Sequence, residues 1–202
     1  MSEKNELAAF IRRHTSQLVV TDAVLDEIVA PFEERMLQKG DHLLHAGRVS
    51  GYYLLLKGYV RVYTFTPEGD EVTTYFYGPE RAVFDPPSFF FGQPSAEHHQ
   101  ALAPCSGFYI SFDQLNYLFH ALPVAREFGR AMLVREFALY KQRTLAAITR
   151  HAEERYAELL TQQPDLLQHA PLKQVASYLG VTDSSLSRFR RELAERGNAS
   201  PK

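Results

Sequence analysis

The spacing of apolar and polar positions divides the chain into a helical start, a strand-rich middle and a helical end. Asn5–His14 and Asp22–Ala30 carry the three-and-four spacing of short amphipathic helices. Thr21 or Asp22 can cap the second, whose apolar face is Val24, Leu25, Ile28 and Val29. Pro31 ends it, since proline has no N–H to continue the ladder. From about Phe32 to Ser111 the chain reads as strands. Tyr52–Leu56 is an apolar run closed by Lys57-Gly58. Tyr59–Phe65 alternates, with Val60 and Val62 on one face and Arg61 and Tyr63 on the other. Pro67-Glu68-Gly69-Asp70 turns the chain, and Val72–Tyr77 returns with Val72, Thr74 and Phe76 sharing a face. Short strands punctuated by glycine turns predict a barrel or jelly roll.

Helical spacing resumes with Asp113–His120, stopped by Pro123, and then runs from about Val124 to Thr161 with a break near Thr149–His151. Within it Ala131, Val134, Ala138, Lys141, Leu145, Ile148 and Ala152 alternate by three and four, the seam of a helix that pairs with a second copy or faces a core. Gln162–Ala170 reads as a linker and Gly197–Lys202 as a tail. Between them lie two helices, Pro171–Leu179 and Asp183–Arg196, split by Gly180-Val181-Thr182.

That last pair carries the clearest functional signal. Leu172, Val175, Ala176 and Leu179 form one face, with Ala176 small where a second helix crosses closely. Gly180 supplies the positive φ of a tight interhelix turn, Val181 plugs it and Thr182 caps the next helix. Leu186, Phe189 and Leu193 then face inward together. The outward face holds Asp183, Ser184, Ser187, Arg188 and Arg191, with Ser185 and Arg190 at its edges. Short polar side chains followed by arginines suit a recognition helix: arginine bonds guanine edges, and hydroxyls and further arginines hold phosphates. These residues predict double-stranded DNA as the partner.

Charge agrees with that reading. From Pro171 onward six Lys or Arg face three acids, so the rest of the chain carries −5 of the net −2. A basic end on an acidic body fits a nucleic-acid module joined to another domain. Cys105 is the only cysteine, which excludes an internal disulfide and a cysteine-held iron–sulfur cluster and points to the cytosol. No run of apolar residues is long enough for a membrane span, and no targeting segment opens the sequence. No catalytic signature of the hydrolase, metalloprotease or phosphate-loop kinds is present, so an enzyme is not expected.

Several segments together resemble the Crp/Fnr family of bacterial regulators, over nearly the whole chain. Leu37-Gln38-Lys39-Gly40-Asp41-His42-Leu43-Leu44-His45-Ala46-Gly47 is similar to the family's opening strands. Tyr53-Leu54-Leu55-Leu56-Lys57-Gly58-Tyr59-Val60-Arg61-Val62-Tyr63 is similar to its barrel signature, and Pro67-Glu68-Gly69-Asp70-Glu71 to the hairpin that follows. The resemblance implies an α+β chain: an antiparallel β-roll of the cyclic-nucleotide-binding type over 1–123, a dimerisation helix over 124–150 and an all-α helix-turn-helix domain over 151–202. It implies a homodimeric transcription regulator, with DNA-reading positions at Asp183, Ser184 and Arg188. Asp183 departs from the arginine of the catabolite regulator, so a different operator is expected. The likeness is greatest to short regulators that end in the helix-turn-helix, and the residues after Arg196 are too few for a β wing.

The family's nucleotide cassette, a Gly-Glu pair and a later Arg-Ser or Arg-Thr, is not matched. Its positions fall on Phe84-Asp85 and near Ser95, with Pro86, Pro87 and Glu97 close by and Arg81 as the one nearby cation. Cyclic nucleotide is therefore not the expected effector. Phe84, Phe89, Phe90 and Phe91, with Asp85, His99 or Gln100 for polarity, either line a pocket for another small molecule or fill it. No cofactor and no metal is expected: His98 and His99 are neighbours that point to opposite strand faces, and His42 and His45 are spaced to split across faces too. The alternative to a DNA-binding regulator is a ligand-sensing β-roll that signals through protein contacts, with a vestigial helix-turn-helix.

Overall fold

In a computed structural model that describes residues 3–15 and 19–198, helices α1 (Glu3–His14) and α2 (Asp22–Val29) lead into the strands. Thr21 caps α2, its Oγ1 accepting the Val24 N–H at 3.4 Å. The strands are β1 (Glu33–Leu37), β2 (His42–Leu44), β3 (Tyr52–Lys57), β4 (Val60–Phe65), β5 (Glu71–Tyr77), β6 (Arg81–Val83), β7 (His98–Ala101) and β8 (Cys105–Ile110). They form two antiparallel four-stranded sheets, β1-β8-β3-β6 and β2-β7-β4-β5, the jelly-roll arrangement that the glycine-punctuated pattern predicts. At the β3–β4 turn Gly58 has φ +97°, and a Cβ there would lie 2.6 Å from both Cys105 Sγ and the Pro104 carbonyl. Only glycine fits that corner.

The strand reading fails in two places. A short helix, α3 (Pro86–Phe91), interrupts it. And Val72, Thr74 and Phe76 do not share a face: Val62 pairs with Tyr75 but Tyr63 with Thr73, so Thr74 is an extra residue. Such a bulge flips the side-chain alternation. Phe76 packs on the C-terminal helices, while Thr74, Tyr75 and Tyr77 line a cavity. Nor is the second face of β4 open. Arg61 is 2% exposed, its Nε donating to Thr73 Oγ1 at 2.8 Å and its Nη1 to Glu71 at 2.7 Å, with the guanidinium 4.5 Å from the Tyr63 ring centre.

After the roll come α4 (Phe112–Ala121), α5 (Pro123–Thr149), α6 (Ala152–Gln162), α7 (Leu166–His169), α8 (Leu172–Leu179) and α9 (Asp183–Asn198). The helical run breaks at Arg150-His151, and the segment read as a linker contains α7. Three apolar clusters hold these parts. One joins α1, α2, α4 and the start of α5 to the β1-β8-β3-β6 sheet through Phe10, Ile28, Leu54, Phe108, Leu118 and Phe128. A second fills the roll around Tyr53, Leu55, Val60 and Val83. The third unites α6 to α9 and fastens them to the roll, where Tyr59, Phe76 and Leu102 meet Tyr156, Val175 and Leu179. Ser177 on α8 adds a polar tie: its Oγ accepts the Thr73 N–H at 3.0 Å.

Candidate nucleic-acid interface and effector cavity

Helix α8 ends at Gly180, whose φ of +68° is the left-handed cap that lets the chain turn at once into α9. Thr182 Oγ1 accepts the Ser185 N–H at 3.2 Å and so holds the first turn of α9. Leu186 and Phe189 are buried against Val175, Ala176 and Leu179. Asp183, Ser184, Ser187, Arg188 and Arg191 are all exposed on the opposite side. Ser185 is half-buried, because its backbone and hydroxyl both serve the cap. Arg188 approaches Glu192 at 3.9 Å, a loose contact between exposed groups. The side chain of Leu193, and residues 199–202 of the expected tail, lie outside the described residues; α9 itself continues to Asn198.

Along α5, Val134, Ala138, Lys141, Leu145 and Ile148 are exposed, so the seam does not face the core of its own subunit. Leu133, Phe137 and Tyr140 are exposed as well and at the same time form one wall of a cavity of about 760 Å³. Its opposite wall comes from Val62 and Thr64 on β4 and from Thr74, Tyr75 and Tyr77 on β5. Phe84, Asp85, Glu97 and His99 close it from the β6–β7 side, and Arg143 and Glu136 reach in from α5.

Of the expected pocket residues, Phe84, Asp85 and His99 line this cavity, and Phe89 and Gln100 do not. Phe89 is turned into the core, 5.3 Å between ring centres from Phe112, because helix α3 replaces the strand on which it was read. Gln100 follows inward-facing His99 and therefore points away; its Nε2 donates to the Gly40 carbonyl at 3.1 Å. Phe90 and Phe91 are exposed. The tyrosines of β5 and the whole α5 wall were missed, since no local pattern joins residues so far apart. The bulge at Thr74 was the one hidden signal. Arg81, expected to be the one nearby cation, is instead held by Glu136, which accepts from its Nε and Nη2 at 2.6 Å each, and Arg143 is the cation that faces the cavity.

The cavity is poor in means to hold a phosphate. Asp85 is the N-cap of α3 and makes no side-chain cap bond, and Pro86 and Pro87 fill the first two helical positions without an N–H. The Asp85 N–H is already donated to Ser50 Oγ at 3.1 Å. Ser95 braces the β2–β3 connection, its N–H bonded to the Arg48 carbonyl at 2.9 Å. Glu97 accepts from Thr74 Oγ1 at 2.6 Å, and burial raises its pKa. His99 is 1% exposed, its Nδ1 has no hydrogen-bond partner, and burial brings its pKa down to about 4. The histidine is therefore neutral and offers an unused polar atom beside the cavity. Cys105 is buried, burial raises its pKa, and its Sγ donates to the Tyr59 and Ala103 carbonyls, so it is not a reactive thiol.

On the outer face of the roll the histidines behave unlike the expectation. His98 and His99 point to opposite sides of β7, but His42 and His45 do not separate. β2 ends at Leu44 after a register irregularity, the chain turns, and the two rings stack with centres 4.3 Å apart. His98 joins them.

Residues 34–121 match the family model of the cyclic nucleotide-binding domain. Solved structures extend the likeness to the helices. FixK2 from Bradyrhizobium japonicum is 20% identical with a TM-score of 0.68, covering 82% of this chain and 86% of its own. A Crp/Fnr-family transcriptional regulator from Eubacterium rectale is 14% identical with a TM-score of 0.67, over 91% of this chain and 88% of its own. The chain has the Crp/Fnr fold. The c-di-GMP-responsive regulator CLP from Xanthomonas campestris shares it too, at 15% identity and a TM-score of 0.68, over 90% of this chain and 96% of its own. No curated protein matches the sequence significantly. Among the described residues no helix is long and apolar enough to cross a membrane.

Proposed function

We propose that the chain is a homodimeric, sequence-specific DNA-binding transcription regulator of the Crp/Fnr type that does not respond to a cyclic nucleotide. The observation that carries this reading is the division of α9 into two faces: Leu186 and Phe189 buried, and Asp183, Ser184, Ser187, Arg188 and Arg191 exposed. Arg188 reads a base edge, and Ser184, Ser187 and Arg191 hold the phosphates beside it. The unpartnered seam of α5 pairs with the same seam of a second copy, which sets two α9 helices about 34 Å apart on successive major grooves.

The effector is a small molecule other than a cyclic nucleotide. Asp85, Glu97 and Glu136 outnumber Arg143 in the cavity, and the start of α3 lacks amides for a phosphate. Aromatic walls and the unbonded Nδ1 of His99 favour a largely apolar ligand with a hydrogen-bonding group. Because Leu133, Phe137 and Tyr140 line the cavity on the same helix that carries the seam, a ligand there tilts α5 and changes the spacing of the reading heads.

Mobility-shift titrations on a duplex selected from random sequence test the reading. Affinity falls steeply as salt rises, since neutralised phosphates release counterions. Arg188→Ala weakens the selected duplex by about 1–3 kcal/mol, roughly 5- to 150-fold, and random duplex far less. Equal losses on both remove Arg188 from base reading, and salt-independent or absent binding favours signalling through protein contacts instead. Calorimetric titration with cAMP and cGMP gives no heat; saturable binding of either overturns the effector assignment.

A further inference from the structure

His42 at the start of β2, His45 just after its end and His98 on β7 bring one ring nitrogen each to within 4.8 Å of the others. The rings of His42 and His45 are stacked, and that of His98 stands nearly perpendicular to His45, 5.8 Å away between centres. Hydrogen bonding engages only part of this group. His42 Nε2 lies 3.0 Å from the Tyr63 hydroxyl, and His98 Nδ1 accepts a long bond, 3.4 Å, from the Ala46 N–H. Each ring thus keeps a nitrogen with no hydrogen-bond partner. His45 is exposed and the other two are half-buried, so the cluster opens to solvent.

Neutral imidazole is the ligand of choice for the borderline divalent transition metals, and three imidazoles with a fourth position left to water is a stable zinc arrangement. Around zinc, nitrogens bonded at about 2.0–2.1 Å stand somewhat over 3 Å apart. The nitrogens must close in from their spacing of up to 4.8 Å to reach it, and His45 is the exposed ring of the three. Tyr63 stands behind two of these rings: its hydroxyl lies 3.0 Å from His42 Nε2, and its ring stacks on His98 with 4.9 Å between centres and 14° between planes. Outer-shell partners of this kind orient ligand rings.

We propose that His42, His45 and His98 form a divalent transition-metal site on the outer face of the β-roll, filled most readily by zinc, with water completing the coordination. The site is separate from the effector cavity, since His99, the next residue on β7, points to the other side of the sheet. Access from solvent gives the ion an entry path.

Calorimetric titration of zinc chloride into the full chain, without a histidine tag and stripped with chelator, tests this. One ion binds per chain, and cobalt in its place gives the visible absorption of a tetrahedral centre. His45→Ala, which removes an exposed side chain and leaves the fold intact, lowers zinc affinity at least about 10-fold, as does His98→Ala. Tyr63→Phe lowers it less. His120→Ala, an exposed histidine on α4, leaves it unchanged. Zinc uptake that survives His45→Ala, that falls equally with His120→Ala, or that is absent from the stripped protein overturns the assignment.

Discussion

The exposed face of α9 and the cavity of the β-roll are built on opposite plans. The first is a single run of residues in which the helical period puts Leu186 and Phe189 inside and Asp183, Ser184, Ser187, Arg188 and Arg191 outside. The second is gathered from β4, β5, the α3 segment, β7 and the distant α5, and two of its polar residues, Asp85 and His99, are buried rather than solvated. A surface that meets a large, charged partner needs exposed cations at a fixed period and little else. A cavity that selects a small molecule needs unusual polar groups deprived of water, and only tertiary packing can supply those. The first plan tolerates change on its outer side. The second couples each substitution to stability.

The sharpest way to break that contrast is within α9 itself. Leu186 is fully buried between α8 and the rest of the C-terminal cluster. Leu186→Ala removes its packing and leaves a cavity, costing about 2–5 kcal/mol. Ser187→Ala, one residue on and exposed, changes stability by no more than about 0.5 kcal/mol. Chemical denaturation of both variants measures the difference. Equal effects would mean that α9 is not anchored by its inner face, and the two-sided helix on which the DNA reading rests would fall with it.

The same contrast explains what the sequence could reveal. The packing of α9 on α8 follows from period and from two special residues, Gly180 with its positive φ and Thr182 with its capping hydroxyl, and all of these act within a few positions. The roll was legible as a fold class because Gly58 and the Pro67–Asp70 turn mark the hairpins. The cavity was legible only in part. Phe84, Asp85 and His99 lie on the segment where a ligand was sought, but Phe89 was lost to an unforeseen helix and Gln100 to strand alternation. Tyr75 and Tyr77 were hidden by one extra residue, Thr74, which no hydrophobic pattern announces. The histidine cluster escaped for a related reason: strand alternation separates His42 from His45 only if β2 continues, and it stops at Leu44.

On the cavity side the next effect in size is a dependence on pH. Burial holds the pKa of His99 at about 4, against 6.5 for the free side chain. A depressed value means that the unfolded chain takes up the proton first, so stability is complete above pH 6.5 and is lost as pH falls toward 4. Between pH 7 and 5 this one group accounts for about 2 kcal/mol. Burial also lowers the pKa values of His42 and His98, which slope the same way, while that of Glu97 is raised and opposes them at lower pH. Thermal unfolding of the chain and of His99→Gln, compared at pH 7 and pH 5, isolates the His99 share. The variant shows a shallower loss. An unchanged slope would place a proton or a partner on His99 and remove the buried neutral imidazole from the cavity.

The smallest effect probes the start of α9, where fold and proposed function touch. Thr182 Oγ1 accepts the Ser185 N–H and meets the hydroxyls of Ser184 and Ser185 at 2.9 and 3.0 Å. Thr182→Ala leaves the first-turn amide without that acceptor and costs about 1 kcal/mol, or about 2–4 °C in Tm for a chain of this size. Thr182→Ser keeps the oxygen and restores most of it. If the cap also aims the first turn, then Thr182→Ala weakens binding to the selected duplex well below its unfolding temperature, where nearly all of the protein is folded, and Thr182→Ser does not. A variant that unfolds earlier yet binds as before would confine Thr182 to stability, and would mean that Ser184 and its neighbours find the phosphates without help from the turn.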